Sequence, residues 1–416
     1  MTWQGAQVTI EPVSFFCCIG MSNFPIILKV VKGLYIAFNI GIIARLYFAL
    51  RGPGVSQSVR VGLCLLAVAL SLASPIERGI AGNAPWLKAV SVAGSFWFAF
   101  MCHAILAWSM LCVFRFLNWR FRWLVIAEAD RVRWRHRCCA GIAVASLAMC
   151  AAGWITMQYP VVREERLSVP AGVAPLRVVA LSDLHLGRLA SVDFLSGVVD
   201  RIEPLSPDIV LFLGDILEYD FDPSEAPAAA AVLQRLKPRL GIWGVMGNHE
   251  YIDGRGKLNE RLLNEIGIRT LIDQWELLGE RPGEKILLIG RKDRSWGRKP
   301  VEKVIENVPE EDRDALKILL DHQPTDLEGA EKAGVHLQLS GHSHNGQFFP
   351  LNFVVPFLYE NAYGHYVRGQ THYWVTSGVG AWGPRVRTTG RPEIMLINLI
   401  PRSEVQPQPE LDALPQ

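Results

Sequence analysis

The chain has 416 residues, 50% of them hydrophobic, with 42 Lys and Arg against 40 Asp and Glu. Its mean hydropathy of +0.20 is too high for an ordinary soluble enzyme of this size, and a net charge of +2 gives no basis for nucleic-acid binding. All eight cysteines fall between Cys17 and Cys150, so the second half holds no disulfide framework and no zinc–thiolate site.

The apolar excess lies before about residue 160 and predicts an α-helical transmembrane bundle over 1–160. Four apolar runs read as spans, near 33–50, 61–76, 89–114 and 138–162. The second is short of the ~20 residues a span needs. The first arginine is Arg45, so there is no early twin-arginine signal, and the first run reads as a retained span. Residues 115–137 carry Arg115, Arg120, Arg122, Arg131, Arg133, Arg135 and Arg137, opposed by Glu128 and Asp130, with Trp119, Trp123 and Trp134 interleaved. This pattern predicts a positive-inside loop with interfacial tryptophans. An anionic-lipid surface is the alternative. A cytoplasmic loop here sends the fourth span outward and places the following domain outside the cytoplasm, although Lys29 and Lys32 pull the other way.

Residues 161–175, bracketed by Pro160, Pro170 and Pro175, read as a juxtamembrane linker. From 176 to 400 short apolar strands alternate with helical stretches, which predicts an α/β domain. The proline-rich tail 401–416 reads as disordered.

Five predicted strands of this domain end in polar residues. The strand at 176–181 runs into Asp183-Leu184-His185, and the strand at 208–213 into Gly214-Asp215. The strand at 241–246 leads to Gly247-Asn248-His249-Glu250, and the strand at 316–320 to Asp321-His322. The last, at 335–339, opens into Gly341-His342-Ser343-His344-Asn345-Gly346-Gln347. Each end alone has a bland reading: an aspartate after a strand caps helices, and Asn248 suits a turn. All five share one chemistry. They offer carboxylate, imidazole and amide donors without thiolate, a set suited to Mn, Fe or Zn. Ligand sites in open α/β sheets lie beyond strand carboxyl ends, so the five loops can converge.

This ordered set, Asp-x-His, Gly-Asp, Gly-Asn-His-Glu, His and Gly-His-x-His, resembles the calcineurin-like metallophosphoesterase superfamily over about 176–400. The Gly-His-x-His-x-Gly-Gln ending, with Tyr363-Gly364-His365-Tyr366 and Gly378-Val379-Gly380, is similar to a branch of membrane-associated bacterial phosphodiesterases. Some members of that branch are UDP-diacylglucosamine pyrophosphatases. The resemblance implies a β-sandwich flanked by helices and a pair of divalent metal ions, manganese favoured. It implies that Asp183, His185 and His344 hold one metal, that Asn248, His322 and His342 hold the other, and that Asp215 bridges them. His249 then stabilises the transition state or protonates the leaving group. Asn345 stands where a glycine is common in this branch, and Asn tolerates the left-handed backbone such a loop needs.

The expected chemistry is hydrolysis of a phosphodiester or pyrophosphate in a lipid-linked substrate by a metal-bridging hydroxide. Arg385 and Arg387 are candidate phosphate contacts. His336, His365 and His372 read as structural, and the basic run 291–299 as a solvated surface turn. A phosphatase of soluble phosphoesters is the nearest alternative. A non-catalytic membrane scaffold is the alternative of another class, and the completeness of the ligand set argues against it. The spans lack paired acids of the kind that line ion pathways.

Overall fold

The computed structural model describes residues 24–78, 80, 84–169, 174–281 and 284–401. The expected disordered tail lies outside the described residues, apart from Pro401. Four long helices come first: α1 (Phe24–Ala49), α2 (Gln57–Arg78), α3 (Pro85–Phe121) and α4 (Arg131–Met157). Among the described residues, Gln57–Ile76, Pro85–Phe121 and Glu128–Met157 are long and apolar enough to cross a membrane. The stretch expected at 61–76 therefore belongs to a 22-residue helix and reaches spanning length. Helix α1 is not among the three.

The bundle is held by close backbone approach and by satisfied polar groups, the two devices available where lipid replaces water. A Cβ at Gly94 of α3 would lie 2.6 Å from the Ser74 backbone nitrogen of α2. The Tyr35 hydroxyl donates to the Ser71 carbonyl at 2.7 Å. The Trp97 indole donates to Asn39 Oδ1 at 2.8 Å.

The arginine-rich stretch is less of a loop than its composition suggested. Helix α3 continues through Arg115 and Arg120 to Phe121, and α4 begins at Arg131, after a 3-10 turn at Glu128–Asp130. Arginine is a good helix former, so charge ends the apolar slab without ending the helix. Helix α3, at 37 residues, is about 55 Å long, well beyond the ~30 Å hydrocarbon core. Arg135 donates to the Ala49 carbonyl at 3.1 Å and also to that of Arg51, which brings the α1–α2 connection to the same end.

Residues 161–169, expected in a linker, form a strand, β1 (Val161–Val169). It pairs in parallel with β12 (Glu393–Pro401) along its whole length. Charged Arg163, Glu164, Glu165 and Arg166 hide the alternation in the sequence. As an edge strand, β1 leaves every second side chain exposed over that charged part, and the open edge of β12 supplies its backbone partners.

The remaining strands are β2 (Leu176–Leu181), β3 (Ile209–Leu213), β4 (Ile242–Val245), β5 (Arg269–Thr270), β6 (Gln274–Leu278), β7 (Ile286–Gly290), β8 (Leu316–Leu320), β9 (Leu337–Ser340), β10 (Gly364–Arg368) and β11 (Thr371–Val375). With β1 and β12 they form two six-stranded sheets, ordered β1-β12-β2-β3-β4-β5 and β10-β11-β9-β8-β7-β6. The central strands pair in parallel within each sheet. Such strands are covered on both faces and read as continuous apolar runs, as Ile209–Leu213 does, with all five residues buried. The pleat sorts them. Val178, Ala180, Ile209, Leu211, Ile318 and Leu320 point into the core between the sheets. Val179, Leu181, Val210 and Phe212 point outward, under α5 (Val192–Ile202), α6 (Ala226–Leu233) and the later α8 (Gly256–Glu265). Leu287, Ile289 and Leu319 face a third cluster, under α9 (Val301–Val304) and α10 (Leu327–Lys332). The single-turn α7 (Asn248–Tyr251) carries part of the site.

Only three residues separate α4 from β1, so the bundle and the sandwich touch directly. The Arg387 N–H donates to the Gly153 carbonyl of α4 at 3.0 Å. A Cβ at Gly153 would lie 2.6 Å from Val386 Cγ1 and 3.0 Å from the Arg387 backbone. Gly153→Leu is therefore expected to cost about 1–3 kcal/mol by overpacking, seen as a lower thermal midpoint in detergent. Gly197→Ala, which meets nothing within 4 Å, should leave the midpoint unchanged or raise it, because alanine favours the helix.

Candidate metal centre

The five strand ends do converge, and they come from both sheets: β2, β3 and β4 from one, β8 and β9 from the other. Contact between them depends on glycine. A Cβ at Gly341, after β9, would lie 1.9 Å from Ser182 Oγ, after β2. A Cβ at Gly214 would lie 2.7 Å from both His322 Nδ1 and the Gly247 nitrogen. The loops are also tightly coiled. Asp183, His185, Asp215, His342 and His344 all take positive φ, between 48° and 70°. L-residues rarely adopt such angles, and they persist where the surrounding structure over-determines them. Asn345 follows at φ 47°, as expected for that loop.

Asp183, His185 and His344 form one group whose ligand atoms lie within 4.8 Å of one another, and Asp215, His322 and His342 form a second. In the first, Asp183 Oδ1 is 3.4 Å from His344 Nε2 and 3.9 Å from His185 Nε2. In the second, His322 Nε2 is 3.2 Å from Asp215 Oδ2, 3.3 Å from Asn248 Oδ1 and 3.2 Å from His342 Nδ1. Asp215 also groups with His185 and His249, so it stands between the two sets. Asp183 Oδ1 is buried without a hydrogen-bond partner among the described residues. A buried carboxylate oxygen left in that state is costly, and a cation at this point satisfies it. The residues present therefore fit divalent metal ions held by oxygen and nitrogen.

Neighbouring groups orient the imidazoles. His185 Nδ1 lies 2.8 Å from Glu218 Oε1, and His322 Nδ1 donates to the Leu213 carbonyl at 2.8 Å. Each interaction turns the Nε2 lone pair toward the cluster, the arrangement usual for ligating histidines. Arg387 Nη2 lies 3.0 Å from His344 Nδ1. A guanidinium only donates, so Nδ1 accepts, and ligation through Nε2 requires Arg387 to turn away from it. Burial holds His344 well below its ordinary pKa, with the Arg387 charge adding to it; neutral imidazole is the form a metal needs.

His249 sits at the edge of both groups. Its N–H donates to Asp215 Oδ1 at 2.9 Å, and its Nδ1 meets Glu218 Oε2 at 3.1 Å. Burial opposes a charge on this ring, but the Asp215 and Glu218 carboxylates outweigh it and push the pKa up to about 10. Glu218 is held well below the usual carboxylate range: burial raises it, and the His249 and His185 partners more than offset that.

Two residues without a role in the sequence analysis matter here. Glu218 ties His185 to His249. Glu250, fully buried, accepts the backbone N–H groups of Asp215, Ile216, Leu217 and Gly247 at 2.5–3.1 Å and so pins two ligand loops together. An acid directly following Asn248-His249, and another three residues after Asp215, were the available signals.

The remaining candidates fall elsewhere. The Arg385 guanidinium lies 3.9 Å over the Phe194 ring. Arg387 is 1% exposed and spends its donors on Gly380, Ser377 and His344. Arg387 therefore presents no free guanidinium for a phosphate, while Arg385, half-buried with one N–H 3.5 Å from the Leu189 carbonyl, remains a candidate contact. The basic run 291–299 is likewise no solvated turn: Arg291 and Arg298 pair with buried Asp321, one residue before His322. His336 Nδ1 accepts from the Lys317 N–H at 3.0 Å, and His365 and His372 stack on each other, in keeping with structural roles.

Comparison with known proteins agrees with this geometry. Residues 176–373 match the calcineurin-like phosphoesterase family model. An uncharacterized metallophosphoesterase of Campylobacter jejuni is 28% identical over 58% of this chain and 64% of its own. A transmembrane protein with metallophosphoesterase domain from Danio rerio is 34% identical over 56% of this chain and 54% of its own. An uncharacterized metallophosphoesterase of Aquifex aeolicus is 30% identical over 56% of this chain and 88% of its own. The match thus spans less than two thirds of the first two relatives.

Replacing Glu218 by Gln keeps its shape but removes the charge that faces two histidines. The expected result is a loss of metal affinity of about 10–100-fold, measured by equilibrium dialysis with Mn, while the circular dichroism spectrum stays unchanged. Wild-type affinity in this variant would show that Glu218 does not position His185.

Proposed function

Because the chain belongs to the calcineurin-like phosphoesterase family, we propose that it is a membrane-anchored, dinuclear metal-dependent phosphohydrolase that cleaves a phosphodiester or pyrophosphate bond in a lipid-linked substrate. One observation carries this reading: two complete ligand groups, Asp183/His185/His344 and Asp215/His322/His342, with Asp215 shared toward both. Asn248 completes the second group. The oxygen-and-nitrogen set suits Mn, Fe or Zn, and manganese is the metal proposed here. When bound, the metal pair supplies Lewis-acid polarisation of the phosphoryl oxygens and an activated water.

The chain's own residues do the rest. Asp215 holds the two halves of the centre in register through the His249 N–H and the Glu250-pinned loop. With Nδ1 engaged by Glu218, His249 presents Nε2 to the site, and its protonated form gives Nε2–H to the departing alkoxide. General acid catalysis of this kind contributes about 100–10,000-fold.

The anchor is a four-span bundle in this reading. Helix α1 counts as the fourth span because its Tyr35 and Asn39 are tied to α2 and α3 inside the bundle. The basic end of the bundle, with Arg51 now added to the 115–137 set, lies at the opposite end of α4 from the catalytic domain. The positive-inside bias then puts the domain on the periplasmic or extracellular side. That side favours an outer-leaflet or exported phosphodiester over a cytoplasmic sugar-nucleotide lipid.

The direct test is a hydrolysis screen of the purified protein with added Mn, covering diesters, monoesters, nucleotide diphosphate sugars and phospholipids. Asp215→Asn is expected to abolish hydrolysis and reduce bound metal; full activity with two metals retained would end the dinuclear reading. His249→Ala is expected to slow turnover by about 100-fold or more with metal content near wild type, and the loss should shrink for substrates with nitrophenol leaving groups. Loss of metal in that variant would show His249 to be a ligand instead. A reporter fused after residue 401 and active only outside the cytoplasm is expected to give signal; activity of its cytoplasmic counterpart would reverse the orientation.

A further inference from the structure

The segment that follows the ligand histidines has an unusual surface. Residues 345–359 contain no charged side chain. Phe349, Leu351, Phe353, Val354, Phe357 and Leu358 are exposed, Phe357 by 76% and Phe353 by 63%. Short 3-10 turns at Leu351–Phe353 and Val355–Phe357 give the segment its shape. Contiguous apolar exposure of this size marks an interaction surface.

Its position decides the partner. The Phe348 ring packs against Phe98 and His103 of α3, with centroids 6.4 and 5.7 Å away. The Phe349 N–H donates to Thr388 Oγ1 at 2.9 Å, and that hydroxyl lies 3.2 Å from His103 Nε2. On α4, Cys150 shares one apolar cluster with Phe348 and Val386. These contacts fall inside the apolar parts of both helices. His103 stands twelve residues before Arg115, about 18 Å along the axis. Cys150 stands thirteen residues after Arg137, about 20 Å along. Both distances are shorter than the ~30 Å hydrocarbon core, so with the arginines at one membrane face the segment meets the helices within the opposite leaflet.

We propose that Phe349–Leu358 is an apolar wedge seated in the leaflet on the catalytic side, with bilayer lipid as its occupant, and that it admits the phosphoester of a membrane lipid to the metal centre directly from that leaflet. The wedge is continuous with the centre. It begins five residues after His344 and ends beside Tyr359, whose ring meets His342 edge-on at 6.2 Å. The delivery role rests on the lipid-linked reading above; the seating in lipid does not.

The test uses the full chain in nanodiscs of phosphatidylethanolamine and phosphatidylglycerol, with a nitroxide amino acid encoded at Phe357 and, as an aqueous reference, at Glu306. Collisions with oxygen should exceed those with a water-soluble nickel chelate at Phe357, with the reverse at Glu306. Nickel access at Phe357 equal to that at Glu306 overturns the wedge, and is also what a surface reserved for a protein partner would give. The double variant Phe353→Asp, Phe357→Asp is then compared with wild type on bis(p-nitrophenyl) phosphate and on phospholipid vesicles. Loss of about tenfold or more on vesicles, with the soluble diester within about twofold, supports delivery from the leaflet. Equal losses on both substrates, or none on vesicles, overturn it. A wild-type protein that cleaves the soluble diester but no vesicle lipid sinks the lipid-linked reading, while the nitroxide result decides the seating by itself.

Discussion

Asp183 and Asp215 are buried where the carboxyl ends of two sheets meet, and most of the domain's local structure follows from keeping them there. A buried, ionised carboxylate is tolerated only when paired and hydrogen-bonded. His185, His322 and His344 approach these two acids, and backbone N–H groups of His249 and His342 bond to them. To gather so many donors, the loops take positive φ at five of the ligand positions. Glycine at 214 and 341 lets the two sheets come close enough for the groups to meet. The strain and the glycines are thus consequences of one electrostatic requirement.

A second tier holds the first. Glu218 engages two of the histidines, and Glu250 gathers four backbone donors from the loops after β3 and β4. Burial, with the nearby Asp215 charge adding to it, pushes Glu250 up to about 8. Its backbone bonds pull the other way. The Arg291 and Arg298 pairs on Asp321 do for the His322 strand end what Glu250 does for Asp215.

The helical bundle is coupled to this site through short physical links. Arg387 joins the two: its backbone N–H bonds to Gly153 of α4, and its guanidinium lies against His344. Buried among them and without a countercharge in contact among the described residues, it is held down to about 10, chiefly by burial. A tilt of α4 therefore has a two-step route to a ligand histidine, which makes the bundle part of the site's support as well as its anchor.

The candidate ligands were legible in the sequence because each is defined locally, by a polar residue placed at the end of an apolar run. The same holds for β2, β3, β8 and the long helices, whose periodicity is carried by consecutive residues. What was not legible depended on partners far away in the chain. Strand β1 looked like a linker because its charged residues mask the pleat, and only the open edge of β12 makes it a strand. Arg387 read as a phosphate contact and Arg291 as a solvated charge because burial is not written next to them. Glu218 and Glu250 stood near candidate ligands, yet their roles lie in hydrogen bonds to other loops. The sequence by itself determined which residues offer donors suited to a metal and that four apolar stretches precede the α/β domain. Only the tertiary structure decided that the five strand ends are shared between two sheets, and that the site lies against the membrane bundle, because both depend on contacts between segments that no local pattern encodes.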